Sequence, residues 1–249
     1  MSTEKYFNAA QELVQQIRDR QKDSIEKAAA ILADSISQSR WAYLFGSGHS
    51  VLPVMDVFPR YGSFVGFRPL IDPRLIWFTA VGPGGAPELL WIERQEGYIQ
   101  NFLNSFDFQK GDSLLVYSHG GLNAAPIEAA IYAKERGCQV VAVTSMENHR
   151  ASEARHSSGK KLADLGDVVI DNCVSPEDAQ VEVGQVEKLA AGSTLAVILI
   201  TMALVAETGS RLRSQGFHLD TFVSPNVAGV DRMHNARVFE RYRERLRGR

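Results

Sequence analysis

Several residue types and motifs that mark large classes of protein are scarce in this sequence. Its 249 residues hold only two cysteines, Cys138 and Cys173, whose spacing fits no metal site or disulfide framework, so we expect reduced thiols. Lysine and arginine number 27 against 29 acidic residues, and a net charge of -2 does not favour nucleic acid as a partner. Neither a GxxxxGKS/T loop nor a GxGxxG motif occurs, which disfavours a nucleotide ligand.

Long apolar runs are missing as well. The first 20 residues are charged and lack the apolar core of a signal peptide. The most apolar stretch, Ser193–Ala206, is too short to span a bilayer and predicts a buried helix. The basic residues 237–249 predict a solvated C-terminal helix rather than a binding patch. We therefore expect a cytoplasmic protein that has neither a membrane nor a nucleic acid as partner.

What the sequence does contain is an alternation of apolar runs and helical patterns. The runs are continuous rather than alternating, as in parallel strands that helices cover on both faces. The predicted strands are Trp41–Phe45, 62–70, Ser113–Tyr117, 139–145 and Asp167–Asn172. The predicted helices begin near Ser50, near Glu88 after a loop from Gly82, at 125 (ending at Gly137) and at Ser193. Apolar spacing over 3–38 predicts one or two further helices, hence a helical segment at 1–40 and a main domain at 41–249 with a C-terminal helical extension.

Four turns at predicted strand ends have an unusual composition, rich in glycine and hydroxyl side chains. They are "FGSGHS" (45–50), "YSHGGLN" (117–123), the stretch 143–160 and "AAGST" (190–194). Hydroxyls and unshielded backbone N–H groups at helix N-termini suit a phosphate or another anion. The alternative for each turn alone is ordinary helix capping, by Ser50, Asn123 or Thr194. Because ligands bind beyond the carboxyl ends of parallel strands, several such turns together predict a binding site there.

The turns resemble those of the SIS (sugar isomerase) domain family. "FGSGHS" is followed by a pattern that reads S-x-x-G-x-N, then PIEAA, then A-x-x-x-G-x-x-V-x-A-x-T, and the resemblance runs from Trp41 to Glu207. It is strongest to stand-alone bacterial members described as phosphosugar isomerases. The resemblance implies a three-layer α/β sandwich with a parallel five-stranded flavodoxin-like sheet, a dimer or tetramer, and a sugar phosphate bound at the strand ends.

Matching the family pattern residue by residue implies a substrate-binding set. In the second turn the family typically reads Ser-x-Ser-Gly-x-Ser/Thr, whereas this chain has Gly120 and Asn123 in place of the second and third hydroxyl residues. A glycine there still supplies a backbone N–H that a ligand can approach closely. The set comprises Ser47, Gly48, His49, Ser50, Ser118, His119, Gly120, Gly121, Asn123, Thr144, Ser145, Ser193 and Thr194.

Interconversion of an aldose and a ketose needs a base and an acid near neighbouring carbons, and Glu and His are the usual pair. Glu93 and Glu96 lie in "WIERQEGY", a segment that also resembles the acidic segment of the family's etherase branch. Our predicted catalytic residues are Glu96, Glu128 in "PIEAA" and His156 in "RHSSGK". The alternatives are a solvated carboxylate for Glu96, stabilisation of a helix N-terminus for Glu128 and a surface imidazole for His156.

Three functions fit this pattern. The first is a cofactor-free aldose–ketose isomerase of carbohydrate metabolism, with no metal because no cluster has metal-ligand spacing. The second is a lyase or etherase that abstracts a similar proton. The third is a non-catalytic sugar-phosphate sensor, although residues 1–40 do not predict the helix-turn-helix of the family's regulators. We expect a small-molecule sugar phosphate and further copies of the chain as partners, and leave the loop 146–161 and the segment 224–235 without a role.

Overall fold

The computed structural model describes residues 1–76 and 85–248, so the loop predicted from Gly82 begins outside the described residues. The helices are α1 Ser2–Ser37, α2 Val51–Val57, α3 Gly85–Ile92, α4 Tyr98–Leu103, α5 Ala124–Glu135, α6 Met146–Ala151, α7 Ser193–Ser214 and α8 His234–Arg247. The strands are β1 Ala42–Gly46, β2 Phe67–Leu70, β3 Ser113–Tyr117, β4 Gln139–Thr144, β5 Val168–Asp171, β6 Ala179–Val181 and β7 Leu189–Ala191.

The central sheet is parallel and has five strands in the order β2-β1-β3-β4-β5. Phe45 of β1 lies between Leu70 of β2 and Val116 of β3, so the carboxyl ends of these strands are in register. Every residue of β1 and β3 is buried, which explains their continuous apolar runs. The flavodoxin-like order confirms the predicted fold and places the switch in strand order between β1 and β3.

Alternate residues of each strand face two separate hydrophobic cores. Leu44 and Leu115 pack with side chains of α1, α2 and α7 on one face of the sheet. Phe45 and Val116 pack with side chains of α3, α4 and α5 on the other face. Helices therefore cover both faces, and the three-layer sandwich follows from the period-2 geometry of buried strands.

The N-terminal segment is a single helix, α1, that forms part of this core. Leu13, Ile17, Leu32 and Ile36 share one hydrophobic cluster with α7. Near its middle, the buried Gln21 side chain accepts the backbone N–H of Asp171 through Oε1, at 3.0 Å. This bond satisfies a donor at the edge strand β5, where an unpaired N–H would otherwise be exposed.

Helix α7 extends beyond the apolar run from which it was predicted. It has 22 residues and a mean hydropathy of 1.6 over its most apolar 18-residue window, so length and composition alone would let it cross a membrane. The expectation concerned the shorter stretch Ser193–Ala206, and the helix continues for about two further turns beyond it. Half of that window is buried inside the fold, where α7 packs against α1 and α2, as the core helix of a globular domain does.

Three predicted segments have more structure than expected. The stretch 146–161, predicted as a loop throughout, begins with α6, whose N-cap Ser145 accepts the N–H of Asn148. The segment after β5 contains the antiparallel hairpin of β6 and β7. The C-terminal helix, expected to be solvated, packs Tyr242 against Phe58, at 4.6 Å between ring centroids. Short helices and hairpins of polar composition carry little hydrophobic periodicity, so pattern reading misses them.

The two ends of the segment 224–235 lie next to each other. Asn235 is at its end, and its side-chain amide both donates to and accepts from the backbone of Val223, just before its start. The preceding residues pair with the chain just before β2, where the N–H of Val65 donates to the Asp220 carbonyl at 3.0 Å. Both ends of the segment therefore lie on the amino-terminal side of β2, the side opposite to the glycine- and hydroxyl-rich turns.

Candidate functional site

The candidate site lies beyond the carboxyl ends of β1, β3 and β4, where the predicted turns meet. The first turn leaves β1 through Gly46, where a Cβ would come within 2.1 Å of the Ser50 carbonyl oxygen. Only glycine fits this close backbone approach. The chain then passes Ser47 into a short 3-10 helix, Gly48–Ser50, in which His49 is exposed and the other two residues are half-buried.

A buried carboxylate joins the first turn to the second. Glu93, 6% exposed, follows α3 and accepts Ser47 Oγ–H at Oε2 and the Asn123 side-chain amide at Oε1, both at 2.7 Å. Its backbone carbonyl accepts the N–H of Ala125 in the first turn of α5. Burial raises the pKa of the Glu93 carboxyl, while the bond from Ser47 lowers it. Asn123 is therefore the N-cap residue of α5, but its side chain donates to Glu93 and makes no capping bond to the helix.

The second turn, 117–123, is held by its own polar groups. Ser118 Oγ accepts the N–H of Gly121 at 3.1 Å, and the Gly120 carbonyl accepts the Asn148 amide at 2.6 Å. Gly121 has φ +65° and a Cβ there would lie 2.7 Å from Thr144 Oγ1. His119 Nδ1 lies 3.0 Å from the Asn172 amide nitrogen, which donates to it because the other side-chain atom of Asn172, Oδ1, accepts the N–H of Val174.

Three of the predicted ligand-binding hydroxyls donate hydrogen bonds to other groups of the protein. Thr144 Oγ1 donates to the His119 carbonyl at 3.3 Å, and Ser145 Oγ donates to the Val174 carbonyl at 2.6 Å. Ser193 Oγ donates to Asp178 Oδ2 at 2.8 Å. These contacts brace the strand ends and the start of α7. Thr194 is half-buried in the first turn of α7.

The structure brings the three predicted catalytic residues together from three different segments. His156 Nε2 lies 3.7 Å from Glu128 Oε1 and 3.8 Å from Glu96 Oε2. The His156 and Glu128 side chains are each only 6% exposed, whereas Glu96 is 41% exposed. Glu128 Oε1 also accepts the N–H of Gly97, which has φ +82°, so this carboxylate fixes the chain just after Glu96.

The hydrogen bonds around His156 assign its protons. Nδ1 accepts the N–H of Ser158 at 3.1 Å, so the neutral ring carries its proton on Nε2, the atom that faces the two carboxylates. Within the described residues, His156 Nε2 and Glu128 Oε2 are buried without a hydrogen-bond partner. Buried polar atoms without partners are rare and are typical of sites that bind a ligand or react.

Glu96 is held by the residue that follows His156. Ser157 donates both its backbone N–H, at 2.7 Å, and its hydroxyl to the Glu96 carboxylate. These bonds, together with the nearby His156, hold the pKa of Glu96 below its ordinary value. Glu96 is therefore ionised at neutral pH. The same bonds attach the polar segment around His156 to the residues that precede α4.

These groups border a cleft of about 160 Å³ at the N-terminus of α5. Its lining residues are Arg94, Glu96, Leu122, Asn123, Ala124, Arg155 and His156. Sequence reasoning missed Arg94, Arg155 and Ser157, and it noted Glu93 without assigning it a role. The available signal was adjacency, because each of these residues is within three positions of a predicted catalytic residue. Larger surface depressions lie along α1, and none of the residues that line them is a predicted site residue.

Comparison with known sequences confirms the resemblance that the turns carry. The sequence model of the SIS domain matches residues 5–145. A UPF0309 protein of Halalkalibacterium halodurans is 35% identical over 243 residues, which cover 97% of this chain and 94% of the relative. Another UPF0309 protein, from Caldanaerobacter subterraneus, is 33% identical over 246 residues, with 97% and 98% covered.

Comparison with solved structures finds the same fold in enzymes. A phosphoheptose isomerase from Neisseria gonorrhoeae superposes with a TM-score of 0.56 over 82% of this chain and 95% of its own. One from Francisella tularensis gives the same score over 84% and 99%. Both are only 16% identical to this chain, so the similarity is one of fold.

Proposed function

Because the chain belongs to the SIS domain family, we propose that it binds a sugar phosphate and interconverts its aldose and ketose forms without a cofactor. The observation that carries the proposal is the meeting of Glu96, His156 and Glu128 beside the cleft at the N-terminus of α5. A carboxylate and an imidazole that border one cleft are the pair that an enediol mechanism needs. The glycine-rich turns next to them offer backbone groups to the hydroxyls of a sugar.

The proposed reaction uses Glu96 as the base and His156 as the acid. Glu96, ionised at neutral pH, removes the proton from the carbon next to the carbonyl, while His156 Nε2–H protonates the carbonyl oxygen. The product of this step is a neutral cis-enediol. Glu96–H then returns its proton to the former carbonyl carbon, and His156 takes the hydroxyl proton from the neighbouring oxygen. Both groups end in their starting states, and the product is an isomer of the substrate.

Glu128 is the positioning residue in this scheme. Its carboxylate lies 3.7 Å from His156 Nε2, and a negative charge there favours the imidazole orientation that faces the cleft. The same carboxylate holds Gly97 and so the backbone that carries Glu96. One buried group thereby sets the distance between the proposed acid and the proposed base.

Replacing Glu96 by Gln and His156 by Asn tests the assignment on a panel of sugar phosphates. We expect each change to lower kcat by about 10²- to 10⁴-fold, the usual contribution of general acid–base groups. Glu153→Gln and His218→Asn are matched controls because both side chains are exposed. Turnover that survives both Glu96→Gln and His156→Asn would remove these residues from the mechanism.

We further propose that the protein acts as a homo-oligomer. The first turns of α1 and the neighbouring β6–β7 hairpin leave apolar side chains exposed, among them Phe7, Val186 and Leu189. Tyr6 bonds the hairpin through the Ala191 carbonyl, so α1 and the hairpin form one surface. An exposed apolar patch of this kind is typical of protein interfaces. Sedimentation at several concentrations checks the proposal, and a monomer at all of them would contradict it.

A further inference from the structure

Four of the turn hydroxyls that the family pattern assigns to phosphate binding already donate their protons to groups of the protein. A serine or threonine hydroxyl has one proton to donate, and a phosphate accepts but does not supply such bonds at neutral pH. Ser47 donates its proton to Glu93, and Ser193 donates to Asp178. Thr144 and Ser145 donate theirs to backbone carbonyls. Gly120 has no hydroxyl to offer.

A carboxylate also lies where the first two turns come together. Both oxygens of Glu93 accept hydrogen bonds, from Ser47 and from Asn123, as the ionised form does. A phosphate bound between these turns would meet that negative charge at short range. The turns are instead suited to the neutral part of a sugar. Glu93 holds Asn123 and Ser47 in place, and the side-chain oxygens of these two residues can accept hydrogen bonds from sugar hydroxyls.

Two arginines line the cleft. Arg94 and Arg155 both line it and are exposed, and neither guanidinium lies within 4.0 Å of a carboxylate oxygen anywhere in residues 1–76 and 85–248. The first turn of α5, at Ala124, adds the positive end of a 12-residue helix to the same cleft. Glu96 is the one carboxylate among the residues that line the cleft, and Ser157 binds both of its oxygens.

A buried group in the same cleft independently indicates a ligand. The His156 side chain is 6% exposed, yet its Nε2 has no hydrogen-bond partner within the described residues. The proton of the neutral ring is on this atom, so a ligand in the cleft would receive a hydrogen bond.

We propose that Arg94 and Arg155, with the N-terminus of α5, bind the phosphoryl group of the substrate, while the glycine-rich turns bind its hydroxyl groups. This inference rests on the proposed function for the identity of the ligand and deepens it by assigning the two ends of the sugar. Guanidinium groups replace the hydroxyl that is missing at Gly120, since arginine binds phosphate oxygens through two parallel N–H bonds. The substrate then enters with its charged end at the exposed side of the cleft.

Binding of inorganic phosphate, followed by phosphorus NMR line broadening, tests the assignment without requiring turnover. We expect Arg94→Gln and Arg155→Gln each to weaken phosphate binding at least about tenfold, with Lys at either position restoring part of it. Arg150→Gln is the matched control, because Arg150 is an exposed arginine on nearby α6 that does not line the cleft. Thermal melting of each variant verifies that it is folded.

Two results would overturn the inference, and a third would separate it from the proposed isomerase activity. Phosphate binding that survives both arginine changes and is lost in Ser118→Ala would return the phosphoryl group to the turn and overturn the inference. Wild-type protein that binds acetate more tightly than phosphate at these arginines would also overturn it, in favour of a carboxylate ligand. Arginine-dependent phosphate binding without turnover of any sugar phosphate would support the inference while the proposed isomerase activity fails.

Discussion

At the scale of the residue, Glu93 shows what one buried carboxylate does for the site. It connects Ser47 after β1 to Asn123 before α5, two positions that are far apart in sequence. No pattern marks it, because a Glu within "WIERQEGY" looks the same whether it faces water or the interior. Glu96, Glu128 and His156 were predicted because strand-end turns and acid–base chemistry single them out. Their mutual distances depend on the fold and could not be predicted.

The buried carboxyl predicts a pH effect on stability. Burial raises the Glu93 pKa above its ordinary value of 4.5, so the folded protein keeps this proton to a higher pH than the unfolded chain does. Stability therefore falls as pH rises above about 4.5 and levels off above the folded-state pKa, by about 1.4 kcal/mol per unit of pKa difference. In Glu93→Gln this loss is absent.

Urea unfolding from pH 4 to pH 7 measures the difference. The wild-type midpoint should fall relative to that of Glu93→Gln as pH rises, whereas Glu153→Gln, an exposed control, should track the wild type. A gap between wild type and Glu93→Gln that does not change with pH would mean that Glu93 has the same pKa in the folded and unfolded states.

At the scale of the element, the five strands of the central sheet and most of the helices that cover it were predicted, whereas α6 and the β6–β7 hairpin were not. β3 was predicted at Ser113–Tyr117, as observed. A strand that is buried on both faces is apolar along its whole length, so the apolar run marks both of its ends. α6 and the β6–β7 hairpin were read as loops, since their few residues are held by caps and side-chain bonds rather than by an apolar stripe. The break between α3 and α4 depends on Gly97 and its bond to Glu128, a contact between distant segments.

The second turn predicts a stability difference between two glycines. Gly121 and Gly159 have nearly equal φ values, +65° and +68°, so alanine at either costs about 1–2 kcal/mol in backbone strain. A Cβ at Gly121 would also lie 2.7 Å from Thr144 Oγ1, whereas nothing lies within 4 Å of one at Gly159. We expect Gly121→Ala to lower the free energy of unfolding by a further ~1–3 kcal/mol. Chemical denaturation of both variants measures this, and equal losses would refute the close packing of the turn against β4.

At the scale of the whole molecule, the parallel sheet brings the turns after β1, β3 and β4 to one edge and thereby assembles the site. The parallel sheet was predictable from the continuous apolar strands, and its flavodoxin-like order followed from the resemblance to the SIS domain family. The cleft itself was not predictable, because it forms between Arg94, the start of α5 and the segment around Arg155. Charge at the cleft and hydroxyl acceptors in the turns give the proposed site two chemically different ends.

We propose that this molecule isomerises a sugar phosphate by proton transfer at Glu96 and His156. Incubating the protein with sugar phosphates in heavy water and analysing the sugars by mass spectrometry tests it most directly. We predict a product isomer that carries carbon-bound deuterium and whose mass differs from that of its substrate only by that label, formed by wild type and Glu153→Gln but not by Glu96→Gln. A sugar phosphate that binds without exchange or conversion, or a product that has lost a substituent, would contradict the claim.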